Sequence, residues 1–219
     1  MFPKGGRVEM ELLVQQTKKD LYSAEFNICD KSTNNLLGQI WFTGSMGSIH
    51  GRFVIRYLNT EFYMDHVSED IIKSAEGSFI KQSVFKPYQI SGNYNGYIWN
   101  DEEKISAFKS LGRRMLRLQG NSYYTYTAGF GDKGTCSPIY YNDDLYIGEI
   151  RKECKVLDDL HIFDVGVSDE SVIPALINVC HKWVVGFYKP GEIFKGWNTK
   201  KYKSLMKEEI EKVRNPYYK

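Results

Sequence analysis

The chain has 219 residues, enough for one large domain with a substantial core. Its 29 Lys and Arg nearly balance 27 Asp and Glu, for a net charge of +2. That balance speaks against a nucleic-acid binder, which shows a basic stripe or a far larger positive excess. Aromatics make up 15% of the chain, and 16 of them are Tyr, a residue suited to strands and half-buried surfaces.

From the start the chain alternates with a period of two, the pattern of strands with one buried face. In "RVEMELLV" Val8, Met10, Leu12 and Val14 share a side. In "YSAEFNI" Tyr22, Ala24, Phe26 and Ile28 oppose Ser23, Glu25 and Asn27. The turn "DKSTNN" leads into "LLGQIWF", and "GSMGS" leads into "IHGRFVIRYL", where Phe53, Ile55 and Tyr57 alternate with Arg52 and Arg56. "SEDIIKSAEG" reads as a short helix, with Ser68 as cap and acids in its first turn. "SFIKQSVF", "YQISGNYNGYIW", "RMLRL" and "SYYTYTAGF" resume the strand pattern, while residues 101–110 fit either a helix or a strand. "IYYNDDLYIGEIRKECKV" is a hairpin turning at Asn142, Asp143 and Asp144. In "DDLHIFDVGV" His161, Phe163, Val165 and Val167 face one way. About a dozen short strands with turn signals at such spacing predict a barrel or a sandwich.

"ESVIPALINVCHKWVVGFY" breaks this rhythm. Ser171 suits an N-cap and Pro174 a first turn, so a helix is predicted over 171–188. Asn178, His181 and Lys182 form one narrow polar stripe, expected to be partly exposed at His181; the other faces are apolar. A helix apolar on most sides must be surrounded on most sides. Among strands, a closed antiparallel barrel of about 12 strands threaded by that helix achieves this, with a helix clamped between two sheets as the alternative. A lipocalin-like carrier would instead need a broad polar face on the helix. The barrel domain is expected over 1–188. Residues 189–219 are expected to form a linker and an amphipathic helix whose apolar stripe is Tyr202, Leu205, Met206 and Val213.

This element order resembles the tubby-like superfamily, which includes tubby C-terminal domains, phospholipid scramblases and LURP-one-related proteins, and in particular its small bacterial members. Two stretches carry the resemblance: the hairpin "PIYYNDDLYIGEIRKE" and "HIFDVGVSDESVIPALINVCHKW", a last strand running into a helix. The likeness spans about residues 20–188. It implies a helix-filled barrel, and it raises lipid binding, because tubby domains bind phosphoinositide headgroups.

Chemical motifs are sparse. "GFGDKG" places Gly129, Gly131 and Gly134 in a G-x-G-x-x-G pattern, but Pro138 and β-prone residues follow where a nucleotide fingerprint needs a helix. A glycine-rich turn is expected instead. Cys29, Cys136, Cys154 and Cys180 form no C-x-x-C pair, and His50, His66, His161 and His181 show no metal spacing. Neighbouring Cys180 and His181 point about 100° apart on a helix and cannot serve each other as nucleophile and base. Asp143, Asp144, Asp158 and Asp159 are expected as turn charges, without the alternating spacing of a calcium loop. No cofactor or metal is expected. No apolar leader and no run of about eighteen apolar residues is seen, so the expected setting is cytoplasmic, at most peripheral to a membrane.

Two basic stretches are the candidate partner sites. The first holds Lys104, Lys109, Arg113, Arg114 and Arg117; the second holds Lys195, Lys200, Lys201 and Lys203 beside Trp197. Rings and ammonium groups interleaved in this way suit an anionic lipid headgroup. The expectation is a non-enzymatic binding module for such a headgroup or for a protein partner. The alternative from another class is a hydrolase whose site the sequence does not advertise.

Overall fold

The computed structural model describes residues 9–44, 50–76, 87–106, 109–126, 128–129, 135–152 and 160–185. The first strands are β1 (Met10–Lys19), β2 (Ser23–Asp30), β3 (Leu36–Gly44), β4 (Gly51–Tyr57) and β5 (Thr60–His66). Helix α1 (Glu69–Glu76) follows, then β6 (Tyr88–Gly92), β7 (Gly96–Ser106), β8 (Lys109–Leu118) and β9 (Asn121–Tyr126). The chain continues with β10 (Ala128–Gly129), β11 (Thr135–Tyr141), β12 (Leu145–Lys152), β13 (Ile162–Val167) and α2 (Val172–Val185). Residues 101–110, ambiguous in sequence, contribute to the β7–β8 hairpin. The strand expected over 78–85 lies outside the described residues, as does the linker and helix expected over 189–219.

All pairings are antiparallel, and β11 pairs with β9 as well as β12, so twelve strands close into a barrel; β10 adds a short outer pairing to β11. Closure leaves the barrel strands no unpaired edge. Inward positions alternate as the sequence pattern requires. Leu12 and Val14, then Ala24, Phe26 and Ile28, then Phe53, Ile55 and Tyr57 are all buried. Tyr22 breaks its predicted set because it falls in the β1–β2 turn, where it is exposed.

A barrel this wide needs filling, and α2 fills it. Trp183 packs its ring against Phe26, Phe42 and Phe53, at 5.3, 5.1 and 5.9 Å between centroids. His181 meets Tyr88 of β6, Asn178 meets Arg114 of β8, and Lys182 meets Ser137 of β11. Partners from β2 round to β11 place the helix inside the barrel. A 3-10 turn, Asp169–Ser171, precedes it, so Ser171 lies inside that turn and Ser168 takes the cap position assigned to Ser171 from sequence. The two hydroxyls hydrogen-bond at 2.7 Å. Helix α1 packs outside: Ile72 meets Trp99, Tyr97 and Met115 of β7 and β8.

Simple up-and-down order gives the barrel two unlike ends. One end collects the hairpins after β2, β4, β6, β8 and β11. Their tightness shows in positive φ at Asn34, Leu58, Gln119, Asn142 and Asp143. The other end collects the connections after β1, β3, β5, β7, β9 and β12, including α1. Helix α2 enters from the tight end and points its C-terminus at the long-connection end.

Gly96 marks a backbone approach that no side chain fits. A Cβ there would lie 1.9 Å from the Arg117 carbonyl oxygen on the paired strand. Gly96→Ala should therefore cost about 2 kcal/mol, the usual scale of an overpacked site. Urea denaturation checks this, and an unchanged midpoint would show that β7 and β8 can part freely.

Candidate functional site

Loops at one end of a rigid barrel are where binding residues concentrate. At the long-connection end, the β1–β2 turn exposes Leu21 at 75% and Tyr22 at 68%. The β7–β8 hairpin turns at the same end and carries the first basic stretch. Lys104 pairs in register with Ser110, Lys109 with Ser106, and Arg113 with Asp101. Arg117 lies opposite Tyr97 and Ser122 and is half-buried. Asp101, Glu102 and Glu103 share this hairpin, so its charge is mixed. The side chains of 101–113 lie outside the described residues, as do Lys195, Trp197, Lys200, Lys201 and Lys203.

Arg114 is a correction. Expected on a lipid-facing surface, it is 6% exposed and points into the barrel. The reason is strand parity: it shares the inward face with Leu116 and Leu118. Its Nη1 donates to Asn178 Oδ1 at 3.4 Å, and among the described residues its Nε has no acceptor. His181 is a second correction. It is fully buried, with its ring 6.0 Å from Tyr88 in an edge-on arrangement. Lys182 is 8% exposed and donates to Ser137 Oγ at 2.5 Å. The polar stripe of α2 thus faces the barrel wall, not solvent. Burial lowers the Arg114 pKa to about 10. Burial first, then the Arg114 and Lys152 charges, pushes Lys182 well below its ordinary value.

Ser137, across from Lys182, is the member that sequence reasoning missed. Its signal was available: it is a polar residue on the inward side of a strand.

The cysteines behave as core. Burial raises the Cys180 thiol strongly. Burial and neighbouring Glu149 push Cys136 to about 12. Both thiols are protonated at neutral pH and so are weak nucleophiles. Cys29 is half-buried, and Cys154 lies outside the described residues. Asp143 occupies the β11–β12 turn and accepts a hydrogen bond from Tyr126 Oη at 2.6 Å. Asp158 and Asp159 lie outside the described residues. Gly129 ends β10, and strand β11, not a helix, begins at Thr135, so the glycine pattern lacks the helix a phosphate loop requires. His50 and His66 meet Nδ1 to Nδ1 at 3.1 Å, one ring donating to the other. Burial, then His50, lowers the His66 pKa.

The fold and this end together define a helix-filled, twelve-stranded antiparallel barrel with a buried cationic stripe. No family model, curated protein or solved structure matches the chain. Among the described residues no helix is long and apolar enough to cross a membrane.

Proposed function

We propose that the chain is a non-enzymatic binding module of the tubby-like superfamily, meeting an anionic membrane surface from the cytoplasmic side with its long-connection end. One observation carries this reading. The exposed Leu21–Tyr22 tip lies at the same barrel end as the β7–β8 hairpin that carries Lys104, Lys109 and Arg113. An apolar tip reaches headgroup depth while Lys and Arg across the same barrel mouth meet anionic lipid. A barrel occupied by its own helix also favours a role at its surface or mouth over carriage of a large ligand. The protonated buried thiols favour binding over cysteine chemistry.

The test is flotation with neutral and anionic vesicles at low and physiological salt. Because both residues are exposed, Leu21→Ser with Tyr22→Ser should leave the melting temperature unchanged. Binding to anionic vesicles should fall about tenfold, since two apolar side chains of this size are worth more than 1.4 kcal/mol. Leu36→Ser, at the opposite end, is the control and should bind normally. Equal binding by all three proteins would take the Leu21–Tyr22 tip out of the contact, and no binding by the parent would remove the membrane reading and leave a protein partner.

A further inference from the structure

Two basic side chains sit inside this barrel, and among the described residues neither has a counter-charge. Arg114 and Lys182 are both buried, and both approach the same stripe of α2, where Asn178 and Lys182 lie one helical turn apart. Among the described residues no carboxylate forms an ion pair with either. Arg114 has five side-chain donors, and among the described residues their one hydrogen bond is the long contact to neutral Asn178. Asn178 is itself committed elsewhere, because its Nδ2 donates to Pro174 O at 2.9 Å.

Burying one unpaired ion carries a large desolvation penalty even after relaxation. A lysine escapes by losing its proton, and Lys182 is biased that way. An arginine does not escape, because its guanidinium keeps its charge throughout the accessible pH range. An apolar residue at 114 would fill the same inward position at no such penalty. The unused Nε and the remaining Nη donors form a planar fork, the shape that recognises tetrahedral and planar oxyanions with two parallel bonds.

Position agrees with this chemistry. Arg114 stands opposite Asn100 and Thr125, two residues beyond the Ile98–Leu116 pair in the direction of the long-connection end. Lys182 lies in the last turn of α2. Ser137, which holds Lys182, lies near the β11 end that opens on the same mouth.

We propose that Arg114, Lys182 and Ser137 form a binding site for a phosphate-type oxyanion at the inner face of the long-connection end. The guanidinium fork takes two oxygens, and Lys182, which takes up a proton as the anion binds, a third, so that a dianion then faces two positive charges. The anion is free inorganic phosphate or the phosphate of a lipid headgroup. The site rests on the buried cations and stands apart from the Leu21–Tyr22 surface.

The experiment is calorimetric titration of the full chain with inorganic phosphate at neutral pH and constant ionic strength, alongside melting in phosphate and in chloride. The expected result is saturable one-to-one binding and a melting temperature that climbs with phosphate, as linkage requires. Arg114→Met and Lys182→Met should each weaken phosphate binding about tenfold or more, the scale of a lost charge-assisted hydrogen bond. In chloride Arg114→Met should melt no lower than the parent, because an unpaired buried charge has been replaced by an apolar chain. Ser137→Ala, a small change, should weaken binding less and keeps the test open if either Met variant fails to fold. Absence of phosphate binding by the parent, or unchanged binding by the variants, overturns the proposal. Phosphate that competes with flotation on phosphoinositide vesicles assigns the site to a headgroup; phosphate binding without flotation assigns it to the free ion. Leu21→Ser with Tyr22→Ser should lose flotation while keeping phosphate binding, which separates this site from the membrane reading.

Discussion

Leu176→Asp is expected to abolish the folded state. Leu176 is fully enclosed by the barrel, on a face of α2 remote from the Asn178–Lys182 stripe. Removing a buried Leu side chain costs about 2–5 kcal/mol in packing alone. The carboxyl group adds the cost of a buried polar atom without a partner, about 1–3 kcal/mol even when it takes up a proton. Together these reach the scale of a whole domain's stability, about 5–15 kcal/mol. Leu176→Met, which conserves volume and polarity, should cost less than about 1.5 kcal/mol. Circular dichroism and urea denaturation of the two variants read the contrast directly. A folded Leu176→Asp protein with a melting point near the parent's would mean that this face of α2 meets water.

Acid should weaken the fold through His161. Burial, with lesser effects of Lys152 and Lys19, lowers this imidazole to about 3 from 6.5. The unfolded chain therefore takes up the proton first as pH falls. Stability is intact above about pH 6.5 and is lost progressively down to about pH 3, the sign expected for a histidine buried neutral. At pH 4 the loss is on the order of 3 kcal/mol, from 1.36 kcal/mol per unit of displaced pKa. The environment explains the shift. The ring stacks on Phe163 at 6.3 Å, and the backbone N–H of His161 donates to the buried Gln16 Oε1 at 3.1 Å. His66 contributes in the same direction through its own lowered pKa. Urea midpoints at pH 7, 5.5 and 4 for the parent and His161→Gln isolate the effect. The variant should lose much less stability on acidification, and parallel curves would show that His161 is hydrated or paired in the folded state.

Where one face of a strand is buried and the other wet, the sequence could be read directly. Leu12 with Val14, and Phe53 with Ile55 and Tyr57, announce their inward face because apolar and polar residues alternate without interruption. The uniformly apolar helix implied its own enclosure, and enclosure by strands implied a barrel. Closure between β9 and β11 was not visible, since pairing between non-neighbouring strands leaves no local mark. Residues 101–110 were ambiguous because charges occupy successive positions in that part of the hairpin and hide the alternation.

The candidate site was half legible. Reading Arg113 to Arg117 as one basic patch averages over two faces of a strand. Counting back from Leu118 through Leu116 puts Arg114 inside. The stripe of Asn178, His181 and Lys182 is legible in the sequence, but its burial is not: partial exposure is the expectation for His181, because a polar stripe on a helix usually meets water, and His181 is fully buried. Here it meets Arg114, Tyr88 and Ser137, a match between distant segments that only the assembled barrel provides.

Native-state hydrogen exchange over residues 172–185 tests most directly whether α2 is the filling of this barrel. An enclosed helix can exchange its amides only when the barrel opens, so those amides should be among the slowest in the chain and follow global unfolding as urea is added. Helix amides that exchange well before those of β2–β5, in a sub-global step of their own, would contradict a helix threaded through a closed barrel.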